Sequence, residues 1–115
     1  MRIAKDLVAA SATPLVLALL RQGDSYGYEI IQNMRQLSGG QLDWKEGMLY
    51  PLLHRLEQRG FVESYGRPSE RGRSRKYYRL LPAGEQQLAD DRSTFDTVHG
   101  LLRNLTNPKI GDISV

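Results

Sequence analysis

Arg67, Arg71, Arg73, Arg75, Lys76 and Arg79 crowd into one short stretch in which Glu70 is the only local acid. More than a third of the chain's 16 basic residues therefore sit together. Nearly all are arginine, whose planar guanidinium fork matches pairs of phosphate oxygens and fits a narrow minor groove. A charge run is more often plain solvated surface, so its meaning depends on what precedes it. What precedes it is DWKEGMLYPLLHRLEQRG, from Asp43 to Gly60. Asp43 and Glu46 have the D-x-x-E spacing of a capping box, which places a helix start near Trp44. At 100° per residue, Leu49, Leu52, Leu53 and Leu56 form one apolar stripe. Gly47, Pro51, His54, Arg55 and Gln58 fall opposite, with Met48 and Tyr50 on the flanks and Lys45 at the start. Gly47 and Pro51 add little bulk there, while His54 and Arg55 supply donors, a combination suited to close approach to phosphates and base edges.

Pro51 leaves two readings open. Inside a helix it deletes one backbone hydrogen bond, that to the Gly47 carbonyl, and costs about 3 kcal/mol. Placed instead at the first helical position it costs nothing, and residues 43–50 become a structured loop. The continuous helix is the favoured reading.

The flanking elements must hold these two groups in place. Ile3, Leu7 and Val8 are helically spaced and predict a short amphipathic helix over Met1 to Ser11. Ala12 to Gln22 predicts a separate, buried core helix, capped by Thr13 with Pro14 in its first turn and ended by Gly23. Asp24 and Ser25 are cap candidates for a helix from Tyr26 to Leu37, which Gly39 and Gly40 break; Tyr26 and Tyr28 are read as packing residues. Gln41 and Leu42 suggest a short extended segment. After Gly60, Phe61 to Tyr65 and Arg75 to Leu80 have strand composition, joined by a long Gly/Pro/Ser loop over 66–76. In the second strand Tyr78 and Leu80 share one face and Arg75, Tyr77 and Arg79 the other.

Three helices followed by a β-hairpin is the winged helix-turn-helix order, in which the third helix enters the major groove and the hairpin touches flanking backbone. YGYEI at Tyr26 to Ile30, GMLYPLLHRLEQRGFV at Gly47 to Val62 and GRSRKYYRL at Gly72 to Leu80 together resemble the PadR family of bacterial transcriptional regulators, from about Pro14 to Leu88. That resemblance implies a dimeric winged-helix repressor that contacts double-stranded DNA through Gly47, Met48, Tyr50, Pro51 and His54 on the helix and Arg73, Arg75 and Lys76 on the wing. It also implies that the helix runs through Pro51. Where the family usually has a threonine after the second strand, this chain has Leu81, a loss of one capping interaction of about 1 kcal/mol.

Pro82 suits a first helical position, and the segment to Leu105 stays helical in pattern. Leu88, Phe95, Val98, Leu102 and Leu105 recur like a heptad seam, more apolar surface than one small domain needs. The expected organisation is mainly α with a β-hairpin wing: an N-terminal helix and winged-helix unit over 1–81, a dimerisation helix over 82–105 and a flexible tail over 106–115. Ile3 and Leu7 are expected to join the seam in a homodimer; the helix folding back on its own domain is the other arrangement.

Bulk composition narrows the function further. A net charge of +3 over 115 residues favours polyanionic partners without requiring them. Zero cysteines exclude disulfides and thiolate metal sites. His54 and His99 are not ligand-spaced, and no nucleophile with a neighbouring base or phosphate-cradling loop appears, so neither metal, cofactor nor enzymatic activity is expected. No apolar run approaches the ~18 residues of a membrane span, and a cytoplasmic location is expected. The competing function is a winged-helix module for protein–protein contact, in which the arginines meet an acidic partner. The resemblance also implies room for a pocket near the dimer interface that takes a small aromatic or lipophilic effector, for which Trp44 and Phe95 are the aromatic candidates; interface packing is the favoured reading of Phe95.

Overall fold

The leucine-rich N-terminal sequence forms a single helix rather than two. In the computed structural model, which describes residues 5–70 and 72–107, α1 spans Lys5–Gln22 with Pro14 in its interior. Thr13 is therefore not a cap and Pro14 not a first-turn residue. Val8, Ala12, Val16, Leu19 and Leu20 continue one face across the proline and pack on the core, which offsets the lost backbone bond. The orphaned Ala10 carbonyl lies on exposed helix where water can reach it. Ile3 lies outside the described residues.

Ser25 and Tyr26 form a two-residue strand, β1, ahead of α2 at Gly27–Leu37. Neither expected cap acts as one. Tyr26 occupies the N-cap position without a side-chain cap bond. Asp24 instead accepts a 2.6 Å hydrogen bond from the Tyr65 hydroxyl, and Ser25 Oγ donates to Glu29 Oε1 at 2.6 Å. Gly39 and Gly40 take positive φ of 63° and 85°, ending α2 as expected. Gln41 and Leu42 form no strand.

The helix α3 spans Glu46–Gln58, continuous through Pro51. It starts later than the D-x-x-E spacing suggested, with Lys45 as N-cap and no side-chain cap bond. The capping box fails because Asp43 turns away to Arg35 and Lys45: its carboxylate meets Arg35 Nη2 at 2.5 Å and Lys45 Nζ at 2.8 Å. These pairs, Lys45 first, hold the Asp43 carboxyl below the usual carboxylate range. Leu49, Leu52, Leu53 and Leu56 are all buried. Gly60, at φ 75°, stops the helix.

β2 (Val62–Pro68) and β3 (Ser74–Leu80) pair antiparallel from Val62 opposite Leu80 to Pro68 opposite Ser74. The hairpin is longer and its tip shorter than the loop composition suggested. β1 adds to the far side of β3, so the sheet order is β1-β3-β2. Tyr78 and Val62 point to a core shared with Val16 and Leu17 of α1, Ile30 of α2 and Leu49, Leu53 and Leu56 of α3. Arg71 lies outside the described residues.

Pro82 opens α4, which runs Pro82–Thr106 with Leu81 as an uncapped N-cap. Its attachment depends on Gly84, the one buried residue of this helix, where a Cβ would overlap the Phe61 carbonyl and the Leu80 side chain. The helix leaves the core soon after. The radius of gyration is 17.4 Å, against about 13 Å for a compact chain of this length. The architecture is a mainly helical winged helix-turn-helix with a β-hairpin wing and a long C-terminal helix carrying exposed leucines. Residues 108–115, most of the expected tail, lie outside the described residues.

Candidate nucleic-acid interface

The leucine stripe of α3 decides which residues it presents outward. Gly47, Pro51, His54 and Gln58 form a narrow exposed strip opposite the buried leucines. No neighbouring atom lies within 4 Å of a Cβ placed on Gly47, so the strip is open on its N-terminal side. With a proline at position 51, the Gly47 carbonyl lacks its helical donor.

The residues flanking this strip do different work. Tyr50 is exposed on one edge, but its ring lies across the first turn of α2, where a Cβ on Gly27 would overlap it. Partial burial there raises the Tyr50 hydroxyl pKa, with smaller contributions from Glu46 and Tyr78. Met48 is half-buried and packs on the core. Together with Arg55 and Arg59 it lines a small cleft of ≈ 220 Å³ between α1 and α3. Lys45 stays exposed although ion-paired with Asp43. Of the helix residues expected at the interface, Gly47, Pro51 and His54 thus share the centre, with Tyr50 on one flank and Met48 and Arg55 on the other.

Glu57 ties this helix to the wing. Its Oε2 accepts from both the amide (3.0 Å) and the hydroxyl (2.6 Å) of Ser64 on β2. The Ser64 hydroxyl is the main reason its carboxyl pKa is lowered, with Lys76 and His54 nearby adding to the effect. Lys76 therefore belongs to the wing face nearer α3, where it approaches the Tyr78 ring at 5.7 Å.

The opposite face of the hairpin alternates tyrosine and arginine. Tyr26, Tyr77 and Tyr65 lie side by side across the three strands, with ring centroids 5.3 Å and 5.9 Å apart. Each carries a guanidinium: Arg75 over Tyr26 at 4.4 Å, Arg67 over Tyr77 at 4.8 Å and Arg79 over Tyr65 at 4.5 Å. Arg79 is neutralised by Glu63 at 3.5 Å and Asp24 at 3.9 Å. It must be removed from the cationic cluster that the sequence suggested. Arg67 and Arg75 pair with no carboxylate among the described residues. Arg73 is exposed at the tip, where its carbonyl accepts from the Ser69 amide at 2.7 Å. Sequence alternation separated Arg75 from Tyr78 but gave no sign of the tyrosine platform, because two of its rings come from other strands.

The expected self-association residues divide. Leu88 is half-buried against the core and also lines the groove between α1 and α4. Leu7, Phe95, Val98, Leu102 and Leu105 are exposed, joined by Leu101, which the spacing argument passed over. Phe95 also lines a ≈ 1350 Å³ groove between α1 and α4. Trp44 does not: it is only 3% exposed, sealed in the core because the α2–α3 loop folds inward. It is therefore withdrawn as an effector residue.

Comparison with known proteins agrees with this geometry. The chain is 31% identical over 88 residues to an uncharacterized protein of Lysinibacillus sphaericus, covering 76% of this chain and 81% of that one. It is 31% identical over 75 residues to the negative transcriptional regulator PadR of Bacillus subtilis, covering 65% of this chain and 41% of the relative. The fold superposes on a transcriptional regulator from Clostridium thermocellum with a TM-score of 0.80 and 29% identity, covering 90% of this chain and all of the other. Residues 16–90 match the transcriptional regulator PadR-like family, and the chain belongs to that family of non-enzymatic regulators.

Proposed function

We propose that this chain is a sequence-specific DNA-binding repressor that acts as a homodimer on a pseudo-palindromic operator. The observation that carries the reading is the low-bulk strip Gly47–Pro51–His54–Gln58, standing open on α3 beside a hairpin whose Arg67 and Arg75 have no acidic partner among the described residues. The strip enters the major groove, with Tyr50 and Arg55 at its edges. Arg73, Arg75 and Lys76 reach flanking phosphates from the wing, and Lys45 adds charge at the helix start. Residues 1–81 thus read DNA while 82–105 pair two copies through Phe95, Val98, Leu102 and Leu105, with Leu7 alongside. Two copies place their α3 helices about 34 Å apart, one turn of DNA. Repression is the direction named for the Bacillus subtilis relative. A flat lipophilic effector has room in the α1–α4 groove, where Phe95 is the aromatic contact.

Fluorescence anisotropy with the chain's own promoter and a shuffled duplex tests this. Preference for the promoter is expected, with log K falling steeply against log salt as phosphate contacts release counterions. Equal affinity for both duplexes at moderate salt would overturn the reading.

A further inference from the structure

Arg67 and Arg75 are direct cross-strand partners on the outer wing face. Like charges placed opposite one another destabilise a strand pair, and among the described residues no carboxylate pairs with either. Two same-face steps toward the base, beyond the Tyr65 and Tyr77 pair, the equivalent position is filled by the opposite-charge pair Glu63 and Arg79. The hairpin therefore neutralises its base and leaves two guanidiniums concentrated toward its tip. Both are held: Arg75 lies on Tyr26 and Arg67 on Tyr77, and those two rings pack edge to face at 5.3 Å. Stacking on a ring face restrains a side chain that otherwise loses rotamer freedom on binding, while leaving its N–H edge free to donate.

We propose that Arg67 and Arg75 form a two-arginine clamp for a DNA backbone phosphate and that Tyr26 and Tyr77 are its positioning residues. This inference rests on the DNA-binding reading above and extends it to Arg67 and to two tyrosines that touch no DNA themselves. A phosphate between the guanidiniums relieves their repulsion, so the penalty carried by the free hairpin is removed on binding.

The test uses the full chain and its promoter duplex. Arg67→Gln and Arg75→Gln each lower affinity and reduce the salt slope by about 1. Tyr77→Leu lowers affinity about two- to fivefold, whereas Tyr77→Phe, which keeps the ring face, leaves it unchanged; Tyr26 behaves alike. In an Arg67→Gln background Tyr77→Leu has no further effect, because the ring acts through that arginine. Arg67→Glu turns the repulsive pair into an attractive one, raising the thermal midpoint at low salt while lowering DNA affinity. Equal losses from Tyr77→Leu in both backgrounds would reduce the ring to a fold support and overturn the positioning role. An unchanged chain that binds its promoter while both glutamine variants keep full affinity and slope sinks the clamp alone. Absence of promoter preference in the unchanged chain sinks the parent reading instead.

Discussion

Pro51 is the residue whose chemistry is least explained by folding. It sits exposed in the interior of α3. A helix interior loses about 3 kcal/mol to proline relative to alanine, so a position chosen for stability alone would not hold one. Pro51→Ala should therefore leave the fold unchanged or stabilise it by up to about 3 kcal/mol in urea unfolding, while altering promoter affinity. A large loss of stability would show that the ring supports structure and that the DNA face is wrongly placed. Gly27 and Gly84 make the opposite case: both are small because a Tyr50 ring and a Phe61 carbonyl occupy the space of a side chain.

At the scale of elements, the joint between α3 and the wing depends on Glu57. Two donors from Ser64 converge on one carboxylate oxygen, so the charged form is favoured in the folded state. The folded pKa lies below the ordinary 4.5. A depressed carboxyl pKa contributes stability that is fully present above the unfolded value and is lost as pH falls through the folded one. Glu57→Gln should accordingly cost about 1 kcal/mol near neutral pH, and the gap between variant and parent should close in the acid range below 4.5. Chemical denaturation at both ends of that range checks it; a gap that persists in acid would assign the loss to packing. Because the joint fixes the wing relative to α3, the variant should also bind the promoter more weakly.

At the scale of the molecule, α4 is a helix of 25 residues anchored through Gly84 and Leu88, with its C-terminal half largely exposed. Val98, Leu101, Leu102 and Leu105 are each more than half exposed, a patch of the kind that marks an interface. On the proposed homodimer, Leu102→Asp should shift sedimentation from dimer to monomer without unfolding the winged-helix core, since the residue is more than half exposed and lies outside the core cluster. Promoter affinity should drop by about 10²-fold or more as two linked half-site contacts become one. A monomeric parent chain, or a variant that stays dimeric, would reject this assignment of the seam.

Local patterns were enough for whatever depends on neighbours within a helical turn or along one strand. The buried stripe of α3, the glycine stops after α2 and α3, the face alternation of β3 and Pro82 at the start of α4 all follow from spacing and backbone freedom. The cap assignments failed because a short polar side chain takes whichever partner folding brings near. Asp24 took Tyr65, distant in sequence, and Asp43 took Arg35 from the preceding helix. Pro14 was misplaced for a related reason: packing of Val8 through Leu20 on a common core outweighed one missing hydrogen bond. The leucines of α4 were visible as a seam, yet only the docking of its N-terminal half separated Leu88, half-buried against the core, from those left exposed. Sequence alone therefore identified a basic hairpin beside an open helix face. Tertiary structure decided which of its arginines are neutralised at the base and which are held on tyrosines, because rings from three strands must meet before a guanidinium can lie on them.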